Sequence, residues 1–236
     1  LSSGINFSLP GVSGGDPTAE VGAISSVPVA DAGNAALARS RGVYGLTVDV
    51  ANRLSQLQST AAGAGYPQSS LSSKLQQAAI LLSAGLGTRI VTIPWGSFDN
   101  HGNQIMSHDP QLAVLSRALG AFKNDLAARG VEQNVITVVF SEFGRQIYQN
   151  DSDGTDHGDA GLMMVTGSRV RGGYAGEFPG IPLKSQSDAI SITDDFRTVY
   201  QHVIAEWMGG DPAAILPDGP FPALSRFDGG NTLLKV

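Results

Sequence analysis

Two short apolar runs, each leading into a polar loop that contains glycine, constrain the fold of this chain more than any other feature. The runs are residues 89–94 and 135–140, and the loops that follow them are residues 95–104 and 141–145. Apolar runs of this length between turn signals are typical of buried strands. In open α/β sheets, ligands bind just beyond the carboxyl ends of the strands. We therefore look for the functional residues in these loops.

Helical patterns surround the two runs. Apolar residues recur at helical spacing in four segments, and a third strand is predicted at 162–166, with a short strand near 24–29. This alternation predicts an α/β fold with a mostly parallel central sheet flanked by helices. The predicted helices cover residues 35–60, with an early break at Gly42 and Gly45; 69–84, capped by Ser69 or Ser70; 109–129, with Pro110 in its first turn; and 193–208, capped by Thr193.

The composition narrows the class of protein. The chain has 236 residues, of which 42% are hydrophobic and 15% charged, enough for one sizeable core. A net charge of −6 and the lack of a basic cluster argue against a nucleic-acid surface. The absence of cysteine excludes disulfides and thiolate metal ligands. No apolar run approaches the roughly 20 residues that span a bilayer, so we expect no membrane span.

The beginning of the chain is the next feature. It starts at Leu1 rather than at a methionine, and its first residues have no signal-peptide pattern. Residues 1–33 are rich in glycine, serine and proline, which is typical of extended or loop structure. We therefore expect a processed or partial product of a longer protein, with an N-terminal part of the fold missing.

Candidate metal ligands lie in the first and third loops. Asp99 and His101 occupy alternate positions of one loop, and Asp156 and His157 lie between glycines in residues 154–158. Carboxylate oxygen and imidazole nitrogen are ordinary ligands of zinc and related ions. The alternative is an Asx-turn at Asp99 with surface histidines. A shared sheet edge would bring the two loops together, which favours a joint site.

Candidate catalytic residues follow the second run. Glu142 leaves the predicted strand at its carboxyl end, and Arg145 has the planar guanidinium that holds an oxyanion through two bonds. A Glu142–Arg145 ion pair that shapes the turn is the competing interpretation. Ser141 lacks the glycine-flanked turn of a serine nucleophile, so a triad with His157 is disfavoured. His108 is assigned to the entry of a helix and His202 to a helix surface or to the edge of the core.

These motifs together resemble a known family. The phrases Phe98-Asp-Asn-His-Gly-Asn-Gln104, Ser141-Glu-Phe-Gly-Arg145 and Gly154-Thr-Asp-His-Gly158 are similar to the exported bacterial family filed as domain of unknown function fifteen-oh-one. The glycine-rich loop at 172–180 and the Asp195-Phe-Arg197 segment also fit. The resemblance covers residues 66 to 221, and it implies a fold of the alkaline-phosphatase and sulfatase-like superfamily. It divides the chain into an opening segment (1–65), an α/β core (66–222) and a tail (223–236).

The resemblance also implies a set of roles. Asp99, His101 and His157, with Asp156 beside them, are similar to the ligands of one metal of that superfamily, and Asp156 would orient His157. Glu142 and Phe143 stand where the ligands of a second metal would be, and phenylalanine cannot bind one. The superfamily's nucleophile and first metal-binding aspartate come from an N-terminal strand and helix, and nothing before Tyr66 resembles them. Arg145 would clamp the non-bridging oxygens of the substrate.

Two functions follow from this reading. The first is a hydrolase of phosphate or sulfate esters, or a fragment of one, that uses a divalent ion (zinc, manganese or calcium) on a small anionic ester. The second is a non-catalytic exported protein that keeps the fold for binding or assembly. In both cases the resemblance implies a secreted or periplasmic location. A complete metal shell beside a hydroxyl group would distinguish the first function from the second.

Overall fold

The described part of the chain forms two compact units. A computed structural model describes residues 35–58, 65–181, 189–224 and 230–235. The first unit contains the described residues up to Trp95, together with Val114–Val131. The second contains Gly96–Ala113 and the described residues from Glu132 onward. The strand predicted near residues 24–29 lies outside the described residues. The segment boundaries at residues 65 and 222 stay predictions.

Helices build the first unit. Helix α1 is Ala35–Gln58 and helix α2 is Ser70–Ser83. The predicted cap of α2 is confirmed, because the Ser69 hydroxyl accepts a hydrogen bond from the Ser72 N–H at 3.1 Å. The early break predicted in α1 is wrong, because the helix continues through its two glycines, each at a cost of about 1 kcal/mol. Val50 of α1 packs against the buried pair Ile80 and Ala84 of α2.

Helix α3 is Gln104–Ala128, and it begins five residues before the predicted start. Pro110 therefore lies inside the helix rather than in its first turn. Proline has no N–H to donate to the carbonyl of residue 106. The side chain of Met106 is 79% exposed, and water can satisfy a carbonyl on that side of the helix. This exposure explains why the early turns of α3 tolerate the proline.

A buried ion pair joins α3 to the loop before α2. The Nε atom of Arg129 donates to Oδ1 of Asp125 at 2.7 Å, and both side chains are at least 96% buried. The Tyr66 hydroxyl donates to the other Asp125 oxygen at 3.2 Å. Burial, reinforced by the neighbouring carboxylate, raises the pKa of Tyr66 above its ordinary value. Tyr66 is thus a neutral donor that helps to satisfy a buried charge.

The predicted mostly parallel central sheet is wrong. The described residues contain two antiparallel pairs of short strands instead. Strand β1, Thr137–Val139, pairs with β4, Met164–Thr166. Strand β2, Gly144–Arg145, pairs with β3, His157–Gly158. The second and third predicted strands therefore exist, but they run antiparallel to each other and form no sheet with residues 89–94.

The first apolar run, residues 89–94, shows why the prediction of a parallel sheet is wrong. Residues 89–94 form no strand, and the side chain of Ile90 is 69% exposed. A β-branched run favours extended backbone, but a sheet also requires partner strands from distant parts of the chain. Local sequence does not specify those partners. An apolar run with turn signals on both sides was therefore insufficient to predict a buried parallel strand.

The core of the second unit forms around the C-terminal residues. Val170, Leu224, Leu233 and Leu234 are buried there, with flanking apolar residues from β4 and α4. Helix α4 is Phe196–His202 and continues as a π-helical turn, Val203–Trp207. Its cap is Asp195 rather than the predicted Thr193. The carboxylate of Glu206 accepts hydrogen bonds from the N–H groups of Leu233 and Leu234, at 2.9 and 3.0 Å, which holds the last described residues in place.

Candidate metal centre

Three potential ligands converge in the second unit. Asp99, His101 and His157 each offer one ligand atom, and these atoms all lie within 4.8 Å of one another. The Nε2 atoms of His157 and His101 lie 2.7 Å and 3.4 Å from the same Asp99 oxygen, Oδ1. The two imidazole rings are 4.9 Å apart between centroids and tilted by 34°. The structure thus brings together two loops that are more than 50 residues apart in sequence.

The spacing of the ligand atoms suits a shared ion. Two ligand atoms bound to one tetrahedral zinc ion at about 2.0–2.1 Å lie roughly 3.3 Å from each other. The distance of 3.4 Å between His101 and Asp99 matches this value, whereas the 2.7 Å hydrogen bond between His157 and Asp99 has to break, because Nε2 of His157 must lose its proton before it binds an ion. The three side chains are 45–64% exposed. An ion held here would therefore keep coordination positions open to solvent, as catalytic sites do.

Asp156 orients His101. The Nδ1 atom of His101 lies 2.8 Å from Oδ1 of Asp156, which also accepts from the Asn150 amide at 3.3 Å. A proton on Nδ1 leaves the lone pair of Nε2 available on the side of Asp99. The sequence had assigned Asp156 to His157, but the structure places it against His101. Asp156 is not one of the three clustered side chains, and its predicted role as a metal ligand stays a prediction.

Both carboxylates of the site are held in their charged form. The hydrogen bond from His157 lowers the pKa of Asp99 below its ordinary value. The hydrogen bond from His101, followed by that from Asn150, does the same to the pKa of Asp156. A carboxylate must lose its proton before it binds a metal ion. At neutral pH these two groups are already ionised.

Strands β2 and β3 position His157. His157 pairs with Arg145, and Gly158 pairs with Gly144. The strands approach so closely that a Cβ at Gly158 would lie 2.6 Å from the Arg145 carbonyl carbon, so glycine is required there. The ring of Phe143 stacks on His157 with 3.9 Å between centroids and 10° between planes. The glycines of the second and third motifs thus allow the ladder, and Phe143 restricts the rotation of the His157 ring.

Backbone hydrogen bonds fasten the two ligand loops together. The N–H groups of Asn103 and Gln104 donate to the carbonyls of Ser152 and Asp153, both at 2.9 Å. The Asn150 side chain donates to the His101 carbonyl at 3.0 Å, and its oxygen accepts from two N–H groups in its own loop. The sequence analysis does not single out Asn150, although an asparagine in a loop often accepts a hydrogen bond from the N–H two residues later and so forms an Asx-turn. These bonds hold the ligands on a fixed backbone.

The remaining predicted site residues lie outside the cluster. Glu142 is exposed, and within the described ranges no ion pair joins it to Arg145. The Arg145 guanidinium instead donates to the carbonyls of Phe98 and Thr155. The Ser141 hydroxyl accepts from the Phe143 N–H at 3.5 Å. Among the described contacts, none joins Ser141 to a histidine.

The other two histidines have structural contacts. His108 lies in α3, where its Nε2 atom is 3.3 Å from the Phe98 carbonyl. His202 lies in α4, where its Nδ1 atom is 2.5 Å from Glu206 and its Nε2 atom accepts from the Leu224 N–H. His108 lies in the early turns of α3, which starts at Gln104, and the largely buried His202 fits the edge of the core rather than the helix surface.

No helix in the described parts of the chain has the length and apolarity needed to cross a membrane.

Comparison with known proteins identifies the family. Neither a curated protein nor a solved structure matched the chain. A family model described as Protein of unknown function (DUF1501) matches residues 51–206, a stretch that contains all three ligand residues. The chain therefore belongs to the DUF1501 family.

Proposed function

We propose that this protein binds one divalent ion through Asp99, His101 and His157 and uses it to hydrolyse phosphate or sulfate esters. The observation that carries the proposal is the convergence of one carboxylate and two imidazoles within 4.8 Å at an exposed site. The orientation of His101 by Asp156 supports it. Asp99 and His101 belong to one loop and His157 to another, 58 residues away from Asp99, so their convergence is a property of the fold.

The ligand set favours some ions over others. Calcium and magnesium are bound almost entirely by oxygen atoms. Two imidazole nitrogens with one carboxylate oxygen suit zinc best, and manganese, which prefers oxygen ligands, is the second choice. Of the three ions that the sequence suggested, we therefore propose zinc or manganese for this site.

The open side of the cluster supports a catalytic role. A divalent ion acts as a Lewis acid that activates water and offsets negative charge on a transferring phosphoryl or sulfuryl group. Asp156 would keep the Nε2 atom of His101 available throughout, while the stacked Phe143 ring would hold His157. A small anionic ester is the proposed substrate, because the ligands are accessible from solvent. The catalytic roles of Glu142 and Arg145, and export of the protein, stay predictions.

A second candidate is metal-dependent binding without catalysis. The observation that favours it concerns Arg145, which was expected to clamp a substrate oxyanion. Its guanidinium donates to two backbone carbonyls instead. In the described residues, moreover, no serine or threonine hydroxyl contacts Asp99 or the two histidines, so a nucleophile other than water has no candidate there.

An ester-hydrolysis assay separates the two candidates. The protein, loaded with zinc or manganese, is given a nitrophenyl phosphate and a nitrophenyl sulfate. Ester hydrolysis predicts turnover that disappears with a chelator and in Asp99→Asn, but persists in Asp151→Asn, an exposed aspartate outside the cluster. Bound metal without turnover of either ester would reject the hydrolase and favour the binding role.

A further inference from the structure

A closed circuit of hydrogen bonds surrounds the two ligand loops. The Thr155 hydroxyl donates to Oε1 of Gln104 at 2.8 Å. The Gln104 amide nitrogen lies 3.4 Å from Nδ1 and 3.5 Å from Nε2 of His108, and this Nε2 lies 3.3 Å from the Phe98 carbonyl. That carbonyl also accepts from Arg145, which returns to the Thr155 carbonyl with its other guanidinium nitrogen. Five residues thus form a ring.

The donors and acceptors of this ring are consistent in direction. The Phe98 carbonyl can only accept, so His108 must carry its proton on Nε2. Nδ1 of His108 is then an acceptor for the Gln104 amide group. Gln104 consequently presents its oxygen to Thr155, which donates. Every link is satisfied by one tautomer of His108 and one orientation of Gln104.

The ring contacts the chain at the residues that precede the ligands. Phe98 is followed directly by Asp99, and Thr155 is followed by Asp156 and His157. Arg145 is the short link, because one planar guanidinium reaches both carbonyls. Gln104 and His108 are the long link through the first turns of α3. Side chains that make no hydrogen bond with the ligand atoms therefore help to set the separation of the two ligand loops, together with the backbone bonds at Asn103 and Gln104.

We infer that Arg145, Thr155, Gln104 and His108 are positioning residues that hold the cluster of Asp99, His101 and His157 together before any ion binds. The positioning role of the ring does not depend on the proposed function, because the ring acts together with the backbone bonds between the two loops whether or not an ion binds. Its consequence for metal affinity rests on the proposed function. Preorganised ligands lose less conformational entropy on binding, so a closed ring raises affinity without a new contact to the ion.

The test uses Arg145→Lys and Thr155→Val in the metal-free protein. Lysine keeps the positive charge but cannot bridge two carbonyls, and valine keeps the shape of threonine without its hydroxyl. Two quantities are measured by NMR: amide exchange at Asn103 and Gln104, whose N–H groups join the loops, and the NOE between the rings of His101 and His157. Matched controls are Arg197→Lys and Thr193→Val, which alter an arginine and a hydroxyl elsewhere in the same unit.

We expect faster exchange in both ring variants, by roughly ten-fold for Arg145→Lys. The NOE between the two histidine rings should weaken in parallel, and the controls should match the wild type. Amide exchange in the double variant should be little faster than in Arg145→Lys. Once one link of the ring is broken, removal of a second link weakens the contact between the loops only slightly. Wild-type exchange and NOE in both single variants would overturn the inference, and fully additive effects would contradict a closed ring.

Titration with zinc and manganese then tests the consequence for affinity. Both ring variants should bind the ion about 10–100-fold more weakly, while the controls bind as the wild type does. Wild-type affinity in the ring variants would reject their positioning role in metal binding. A wild type that binds no ion would reject the proposed function, while the exchange and NOE data would still decide whether the ring positions the cluster.

Discussion

The Nδ1 atom of His101 lies 2.8 Å from the Oδ1 atom of Asp156, and this contact determines which nitrogen of the imidazole can bind an ion. With Nδ1 directed at the carboxylate, Nε2 is left on the side of Asp99, 3.4 Å from its oxygen. A carboxylate behind a histidine also makes the imidazole a stronger ligand. The pair therefore supplies both the direction and the strength of one metal bond.

Replacing Asp156 by asparagine tests this role. The asparagine amide oxygen would still accept a hydrogen bond from His101, but without the negative charge that strengthens the ligand. We expect Asp156→Asn to bind zinc or manganese about 10–100-fold more weakly, measured by competition with a chromophoric chelator. The exposed Asp151→Asn is the control and should bind as the wild type does. Equal affinity in Asp156→Asn would show that His101 needs no carboxylate behind it.

Gly154 is a second position at which a substitution should disturb the cluster. A Cβ at this position would lie 2.5 Å from the His101 carbonyl carbon and 2.8 Å from the Gly102 nitrogen. These are backbone atoms, so one ligand loop must move away from the other. We expect Gly154→Ala to lose most of its metal affinity, whereas Gly120→Ala, which has open space in α3, should keep it. A Gly154→Ala variant with wild-type affinity would contradict the close packing of the loops.

The buried pair Asp125–Arg129 is predicted to dominate the stability of the first unit. Removing one partner leaves the other charge buried, at a cost of about 3–5 kcal/mol. We expect Asp125→Ala to lower the free energy of unfolding by this amount in urea denaturation. Asp49→Ala, on the exposed surface of α1, should change it by less than about 0.5 kcal/mol. Similar values for the two variants would argue against the buried pair.

Asp195 makes the stability of the second unit depend on pH. Its hydrogen bonds from the Arg197 side chain lower the pKa of Asp195 below the ordinary value of 3.8. The lowered pKa means that Asp195 stabilises the folded state above pH 3.8 and loses this contribution as pH falls further. Asp195→Asn lacks the charge at every pH.

The melting temperatures of wild type and Asp195→Asn should therefore differ by a constant amount from about pH 7 to about pH 5 and converge below pH 3.8. Asp211→Asn, which caps a short turn without an ion pair, is the matched control and should show a smaller change across this range. A difference in melting temperature that stays constant below pH 3.8 would show that the charge of Asp195 does not stabilise the fold.

Local signals in the sequence predicted local structure well. Ser69 caps α2 as expected, because a serine hydroxyl at this position satisfies an N–H of the first turn without any distant partner. The strand at 137–139 was also predicted from its β-branched residues. The sheet was not, because strand partners are chosen by contacts between distant residues. Pro110 misled the prediction for α3, since its position inside the helix is tolerated by exposure.

The sequence predicts the right cluster of side chains, but for a reason that differs from the contacts in the structure. The sequence placed Asp99, His101 and His157 together through a shared sheet edge. The structure brings them together through backbone bonds between residues 103–104 and 152–153 and through Arg145. The backbone bonds involve main-chain atoms, and the Arg145 bonds end on main-chain carbonyls, so no residue pattern identifies their partners. The side-chain chemistry was readable from the sequence, whereas the contacts that assemble it were not.

The most direct test of the proposed metal site is the metal content of the protein, measured by elemental mass spectrometry after purification without a chelator. The comparison needs the wild type, His157→Ala and the control His202→Gln, since His202 contacts Glu206 rather than the cluster. We predict about one zinc or manganese ion per chain in the wild type and the control, and none in His157→Ala. A wild type without metal, even after divalent ions are supplied, would contradict the proposed site.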